Sequence, residues 1–425
     1  MKYFLIIAIS FFLFSEINAQ HFDEHFIDKT LRIDYIFSGD NKSQTVALDQ
    51  LNQLPRWAGR KNNLSNLLRK GNGQIKVTEI NSGKCLYIDS FSTLFQEWQI
   101  TAEAKTVRKS FENSFLVPFP KQKVYIEISL RDKSGIYLSA IKHLVDPNDI
   151  LIKKKGLKNI PNYIPVHKGL STSHQINVVI LAEGYKASEM DKFRKHAAIT
   201  CQQIFAHSPF NKLQDKFNFY AVETISKDSG VSVPRTGVWK ETAFHSHFDT
   251  FYSDRYLTTS NIKDIHDAIA GIPYANIIIL ANTEVYGGGG IFNAYTLTTT
   301  GHPEFKPVVV HEFGHSFAGL ADEYYYEGDV LNSTYPHSLE PWEPNITTLI
   351  DFSSKWKGLL QSGTPIPTLL NESSKYPIGV YEGAGYSAKG IYRPAIDCRM
   401  KTNTCKDFCP ACQSAIEELV KFYTE

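Results

Sequence analysis

Residues 308–324 read VVVHEFGHSFAGLADEY, and this stretch decides how the second half of the chain is interpreted. It contains the pattern H-E-x-x-H, which runs from His311 to His315. If residues 308–318 form a helix, the two histidines lie one turn apart on one face and can reach one metal ion. Imidazole nitrogens suit Zn²⁺, and two such ligands plus a third leave one position open for water.

The residues around the two histidines predict a hydrolytic site. Glu312 lies beside the metal without needing to bind it, where a carboxylate can take the proton of a water molecule that attacks a carbonyl. Gly319 is predicted to end the helix with a positive φ and to turn the chain back. That turn brings Asp322 and Glu323 toward the histidines. The alternative is a buried helix whose histidines only satisfy hydrogen bonds in the core.

Composition limits the classes of function. The chain has 425 residues, enough for two or three domains with full cores. Lysine and arginine number 45 against 44 aspartate and glutamate, a formal net charge of +1. The chain lacks the excess of basic residues that would indicate nucleic-acid binding. The composition predicts folded globular domains and gives no indication of the oligomeric state.

The N-terminus is typical of a secretory signal peptide at residues 1–19. Lys2 is followed by a short apolar stretch from Tyr3 to Phe14, and a cleavage site is predicted between Ala19 and Gln20. The apolar stretch is short for a membrane span, although an uncleaved anchor is the alternative. The protein is therefore expected to be exported to the periplasm, the cell surface or the medium, with no transmembrane segment in the mature chain.

The remaining chain is predicted to form two domains joined by a linker. Residues 20–150 alternate apolar and polar residues and predict an all-β, sandwich-like accessory domain. Residues 151–172 are polar, contain the lysine run Lys153–Lys155 together with Pro161 and Pro165, and are predicted to be the linker. Residues 173–425 are predicted to be an α/β catalytic domain with a mixed, mostly parallel sheet. Within it, the glycines 287–290 permit close backbone approach or a flexible rim. Ile291–Thr299 is predicted to be an edge strand that can hold an extended peptide, and an ordinary hairpin is the alternative.

Six cysteines fit an exported protein, and four of them lie close together near the C-terminus. These four are Cys398, Cys405, Cys409 and Cys412. One or two disulfides are favoured here, and a structural zinc site is the alternative.

Three segments together carry a family resemblance. The chain resembles the IgA-peptidase family of secreted, metzincin-like zinc metallopeptidases in these segments. They are His311–Tyr324, Tyr392–Pro394 and Cys398–Met400. The resemblance covers roughly residues 173–425, and the β-rich front domain resembles the one that accompanies it in many members. It implies a zinc-dependent endopeptidase with one catalytic Zn²⁺ ion.

The resemblance also implies roles for single residues. His311 and His315 would bind zinc, Glu312 would be the general base, and Met400 would form an apolar floor beneath the metal. The third ligand departs from the common metzincin pattern, because three residues and not two separate the second histidine from Gly319. Among the acidic residues that follow, Asp322 is the predicted third ligand.

Two residues remain as alternatives to Asp322, and one further role is assigned. Glu323 is the second choice for the third ligand, and Glu340 would serve if the ligand came from a later element. Tyr392 is predicted to stabilise the oxyanion because it lies eight residues before Met400. Tyr324 to Tyr326 are the alternatives for that role.

Secreted zinc endopeptidase is therefore the leading function, with a protein or glycoprotein substrate. The family name suggests immunoglobulin A, and other host glycoproteins such as mucins are equally open. Two alternatives stand beside it. One is a non-catalytic surface protein that contains zinc, and the other is a zinc hydrolase of a non-protein amide.

Overall fold

The computed structural model of the chain describes residues 21–170, 174–325 and 335–425. The predicted signal peptide, residues 171–172 of the predicted linker, and Tyr326 lie outside the described residues. None of the helices in the described ranges is long and apolar enough to cross a membrane.

The front of the chain forms two four-stranded β-sheets that share one apolar core. In strand β6, buried residues alternate with half-buried ones because successive side chains point to opposite faces. The β-rich front region is thus confirmed. The sheets have the orders β5-β1-β2-β8 and β4-β3-β6-β7, and two short helices, α1 and α2, accompany them. The elements are β1 Phe26–Gly39, β2 Gln44–Leu54, β3 Gly73–Glu79, β4 Cys85–Phe91, β5 Lys109–Pro120, β6 Val124–Arg131, β7 Tyr137–Val145, β8 Lys153–Lys154, α1 Phe22–His25 and α2 Leu94–Trp98.

The second half of the chain is built around a six-stranded sheet of order β13-β14-β12-β10-β11-β9. Three of its five pairings are parallel, and both outer strands run antiparallel to their neighbours. A mixed, mostly parallel sheet is therefore confirmed. The strands are β9 Tyr163–His167, β10 Ile176–Glu183, β11 Phe217–Val222, β12 Asn276–Ala281, β13 Gly288–Ile291 and β14 Tyr295–Thr299.

Four helices and one hairpin complete this half. They are α3 Met190–Phe205, α4 Ile262–Ala268, α5 Phe305–Ala318, α6 Pro410–Thr424, and the hairpin of β15 Tyr381–Ala384 with β16 Ser387–Arg393. Helix α5 packs against β13, β14, α3 and α6. On its inner face, the rings of Phe313 and Phe317 stack at 5.1 Å within the main apolar core. This burial fixes the rotation of α5, so the opposite face presents the histidines.

The edge of the sheet differs from the sequence-based expectation in one respect. The predicted edge strand Ile291–Thr299 is interrupted at Asn293, which has a φ of 53°. Its second part is β14, an inner strand, while the edge strand β13 is formed mainly by the preceding glycines Gly288–Gly290. The prediction that Ile291–Thr299 is itself the edge strand was therefore wrong, and the structure has the alternative, a hairpin of β13 with β14.

The two halves contact each other beside this edge. The backbone N–H of Ser92 donates to the carbonyl of Phe292 at 3.0 Å, and the Asn293 amide donates to the carbonyl of Ser90 at 2.9 Å. The Trp342 indole N–H donates to the side chain of Asn72 at 2.9 Å. These bonds hold the front domain beside the turn between β13 and β14, and its Leu54 and Leu94 join the apolar core on the face of the sheet opposite α5.

Candidate active site

Helix α5 carries the H-E-x-x-H motif and ends where the sequence predicts. Gly319 follows it with a φ of 64°, and its N–H donates to the carbonyl of His315 at 3.0 Å. The N–H of Leu320 donates to the carbonyl of Gly314 at 3.2 Å. This left-handed turn reverses the chain and brings Asp322 back over the histidine face.

Three predicted ligands meet at one point. The Nε2 atoms of His311 and His315 lie 3.0 Å apart. Asp322 Oδ1 is 3.0 Å from Nε2 of His311 and 3.2 Å from Nε2 of His315. All three side chains are largely buried, with exposed fractions of 13%, 16% and 8% respectively.

Backbone carbonyls orient both imidazoles. Nδ1 of His311 donates to the carbonyl of Arg399 at 3.0 Å, and Nδ1 of His315 donates to the carbonyl of Leu320 at 2.6 Å. Because each Nδ1 carries the proton in these hydrogen bonds, the Nε2 lone pairs of the neutral rings point toward Asp322.

This arrangement fits a zinc ion. Tetrahedral zinc with bonds of about 2.0–2.1 Å to nitrogen and oxygen requires ligand atoms about 3.3 Å apart, close to the separations observed here. Asp322 Oδ1 is buried and has no hydrogen-bond partner among the described residues. Its Oδ2 accepts a hydrogen bond from the Tyr386 hydroxyl, which orients the carboxylate.

The electrostatics of the group favour a cation at the same point. Burial alone would lower the pKa of His315, but the Asp322 carboxylate raises that pKa to about 9. Burial alone would raise the pKa of Asp322, but the two histidines outweigh the effect of burial and hold that pKa below its usual range. A metal ion would replace the proton that these shifts favour, so metal affinity should fall in acid.

Glu312 lies beside this group on the same helix. Burial raises the pKa of Glu312 above its usual value, and the neighbouring histidines oppose that rise. Its carboxyl faces the edge strand, where a Cβ atom added to Gly288 would lie 2.9 Å from Oε1 of Glu312. A carboxylate with a raised pKa next to a metal site is suited to act as a base near neutral pH.

Glycines allow the edge strand to lie directly against α5. A Cβ atom at Gly290 would lie 2.8 Å from Cβ of His315 and would collide with the carbonyl of Glu312. The glycine run therefore permits the close backbone approach that the sequence predicts.

Comparison with known families supports the chemistry of this site. The profile of the family described as IgA Peptidase M64 matches residues 164–376 and 368–420, and that described as Peptidase M64 N-terminus matches residues 21–141. The chain belongs to this family. The resemblance inferred from the sequence is confirmed, and the protein is a peptidase of a family that generally uses a metal ion. A comparison with curated proteins finds no match.

In this M64 peptidase, the three predicted ligands and Glu312 open into a cleft of about 790 Å³. One wall comes from the second half of the chain and includes β13, Tyr324 and Tyr386. The opposite wall comes from the front domain and includes Glu97, Ile100 and Thr101. The contribution of the front domain was not predicted, because it depends on contacts between residues far apart in the sequence.

Glu97 is the acidic group in this front-domain wall. It accepts a hydrogen bond from the hydroxyl of Tyr256, and burial raises its pKa to about 7. It interacts electrostatically with His315 and Glu312. The front domain thus contributes a titratable carboxyl to the catalytic cleft of the M64 peptidase.

The structure does not bring Tyr392 to the cleft. Tyr392 lies on β16 opposite Glu382, and its backbone pairs with Thr347. It packs against the main apolar core and is not among the described residues that line the cleft. Tyr386, which precedes the same strand, contacts Asp322 instead. The assignment of Tyr392 is therefore corrected: the tip of the hairpin, and not its second strand, faces the site.

Met400 packs against helix α5 at Gly314. It is fully buried, and a Cβ atom at Gly314 would lie 2.7 Å from its sulfur. Met400 therefore packs beneath the turn of α5 that separates the two histidines. Arg399, the preceding residue, supplies the carbonyl that orients His311.

The two alternative third ligands point elsewhere. Glu323 is fully buried and accepts a hydrogen bond from the Asn345 amide at 2.9 Å. Glu340 accepts a hydrogen bond from Thr348 at 3.0 Å and pairs with Lys355. Of the three acidic candidates, the structure places only Asp322 within 3.2 Å of both histidines.

Proposed function

We propose that this M64 peptidase is a zinc-dependent endopeptidase. The observation that carries the proposal is the meeting of the His311, His315 and Asp322 donor atoms beside Glu312 in an open cleft. A zinc site with three protein ligands and one open position is typical of catalysis. The position of Met400 beneath the histidines supports a metzincin-like catalytic domain.

The side chains of the site have separate roles in the proposed reaction. When bound, Zn²⁺ acts as a Lewis acid toward water and the scissile carbonyl. Glu312 accepts a proton from the attacking water and returns it to the leaving amine nitrogen. Tyr386 holds Asp322, and the carbonyls of Arg399 and Leu320 hold the histidines, so the ligands need little reorganisation during turnover.

The edge strand supports an extended protein segment as substrate. One side of β13 pairs with β14, while its other side forms the sheet edge, with a bridge from Gly288 to Tyr256. The N–H of Gly288 already donates to the carbonyl of Arg255 at 3.3 Å, so a peptide would add to the part of the edge beyond Gly288. The side chains of the substrate would then contact the front-domain wall across the cleft.

The catalytic proposal can be tested on a diverse peptide mixture. Wild-type protein, Glu312→Gln and Glu304→Gln are compared, with products identified by mass spectrometry and zinc measured in each sample. Glu304 precedes the same helix and is exposed, so it is the matched control. We expect internal cleavage by wild type and control, a loss of at least about 100-fold in Glu312→Gln, and equal zinc contents.

A chelator should abolish cleavage, and added zinc should restore it. Full zinc content without any cleavage in all three proteins would favour the alternative of a non-catalytic zinc protein. Cleavage that survives the chelator or the Glu312 change would contradict the proposed mechanism.

We further propose that the protein is exported and acts on secreted glycoproteins. The N-terminal sequence supports export, and the description of the family names immunoglobulin A. The test is digestion of immunoglobulin A, immunoglobulin G and a mucin at equal concentrations, together with the N-terminal mass of protein recovered from each cell fraction. Cleavage of immunoglobulin A or the mucin and a mature terminus at Gln20 are expected. Retention of the leader in the cytoplasm would contradict export.

A further inference from the structure

A second group of metal-binding side chains lies on the other side of the loop that carries Asp322. It consists of Glu323, Cys398, Cys409 and Cys412, whose donor atoms all lie within 4.8 Å of one another. All four are buried, with exposed fractions between 0% and 4%. We name this group the thiol cluster. Its chemistry does not depend on the proposed peptidase mechanism.

The separations within the thiol cluster suit a tetrahedral ion. Sγ of Cys398 and Sγ of Cys412 are 3.8 Å apart, which matches the roughly 3.8 Å expected for two sulfurs bonded to one zinc at about 2.3 Å. Oε1 of Glu323 lies 3.1 Å from Sγ of Cys412 and 4.0 Å from Sγ of Cys409. Three sulfurs and one carboxylate oxygen provide four ligands, the number of a closed structural site.

Glu323 approaches the cysteines through Oε1, while its second oxygen lacks a partner in the described part of the chain. Oε2 of Glu323 is buried and has no hydrogen-bond partner among the described residues. Burying a carboxylate with an unpartnered oxygen is costly unless a cation binds it. The other oxygen, Oε1, accepts the hydrogen bond from Asn345, which fixes the carboxylate toward the cysteines.

Backbone groups are placed to stabilise a thiolate at Cys398. The sulfur of Cys398 accepts hydrogen bonds from the N–H groups of Cys409 at 3.2 Å and Met400 at 3.5 Å. Such donors stabilise negative charge on a sulfur and orient it, as they do around metal-bound ligands. The thiols would release their protons when the ion binds.

The disulfides favoured by the sequence do not form in this structure, in which all six cysteines are free. The thiol cluster holds three sulfurs, so any single disulfide within it would leave one thiol and the Glu323 carboxylate buried together. Cys405, the fourth cysteine of this region, does not join the cluster, and its thiol contacts the carbonyl of Asp407 at 3.4 Å.

We propose that Glu323, Cys398, Cys409 and Cys412 bind one structural Zn²⁺ ion. Thiolate-rich, tetrahedral sites select zinc over harder cations. The ion would join three segments around the active site. The first segment holds Glu323, which follows Asp322 and whose N–H donates to the carbonyl of Met400 at 2.8 Å. The second holds Cys398, two residues before Met400. The third begins at Cys409, the N-cap residue of α6.

The test is the zinc content of the whole purified chain and of three variants. We expect two zinc ions in wild type, one in Cys412→Ser, one in His315→Ala, and two in Cys405→Ser. The last is a matched control, because it removes a neighbouring thiol outside the cluster. A wild type with one zinc that Cys412→Ser retains would overturn the second site. Loss of zinc confined to His315→Ala would leave the catalytic proposal intact.

Cys412→Ser would also lose zinc if it misfolded, so two further measurements use protein in which the thiol cluster is intact. After zinc is exchanged for cobalt, His315→Ala should retain the thiolate-to-cobalt charge-transfer absorption, because that variant keeps only the thiol cluster. A mercurial titration of wild type should release one zinc ion as three thiols react. Absence of the charge-transfer band, or an intact mass showing a disulfide among Cys398, Cys409 and Cys412, would overturn the proposal.

Discussion

The two polar centres around Asp322 and Glu323 share a loop but differ in access. Asp322 faces two histidines at the base of a cleft, where a substrate can approach. Glu323 faces three cysteines in a fully buried cluster. Three ligands and an open position favour chemistry, whereas four ligands and no access favour a structural ion. The adjacent carboxylates of Asp322 and Glu323 can therefore have different functions.

Exchanging each carboxylate for its amide gives the sharpest test of this comparison. Asp322→Asn should weaken zinc binding in the cleft by at least about 100-fold, more than the loss typical of an outer hydrogen-bond partner. It should reduce peptidase activity in parallel. Glu323→Gln should keep the cleft zinc and instead lower the midpoint of thermal unfolding. Zinc titration and calorimetry of both variants would measure these effects, and the reverse pattern would exchange the two assignments.

Tyr386 and Tyr392 allow a similar comparison of two phenols on one hairpin. Tyr386→Phe removes the hydroxyl that holds Asp322, so zinc affinity in the cleft should fall by about 10- to 100-fold. Tyr392→Phe should change neither zinc affinity nor kcat/KM, because Tyr392 lies outside the cleft. Equal losses in both variants would show that the hairpin acts as a unit and not through one hydroxyl.

The pH profile tests the environment of Glu312. In the proposed mechanism its active form is the carboxylate, and burial raises its pKa above the ordinary 4.5. Consequently kcat/KM should increase with pH through that raised pKa and decrease about tenfold per pH unit below it. Glu312→Gln should lose this acid limb while residual activity remains measurable. An acid limb unchanged in that variant would assign the titration to another group.

The smallest expected effect concerns the contact between the edge strand and α5. Gly290→Ala would force a methyl group against the carbonyl of Glu312 and should lower the free energy of unfolding by about 1–3 kcal/mol. Gly358→Ala is the control, because a Cβ atom there meets nothing within 4 Å. Chemical denaturation of both variants measures the difference. A neutral Gly290→Ala would mean that β13 can move away from the helix.

The features that the sequence predicted are local ones. The helix of the motif, its end at Gly319 and the return of Asp322 depend on residues within one short segment. The grouping of these ligands was therefore predictable, while their role in binding zinc stays a prediction.

The features that the sequence did not predict depend on pairing between segments that are far apart in the chain. The hairpin register places Tyr386, with a φ of 64°, and not Tyr392 beside Asp322. The turn at Asn293 makes β13 the edge strand. The three cysteines beside Glu323 come from residues 398–412, so spacing in the sequence could not identify them as its neighbours.

The front-domain wall has a consequence for inhibitor design and for the divergence of the family. A compound that chelates the zinc alone would bind many metallopeptidases. One that also reaches Ile100 and Thr101 would meet a surface supplied by a different domain. Substitutions on that surface can alter substrate choice without disturbing the helix that carries the ligands. The front domain can thus evolve as an exchangeable selectivity element.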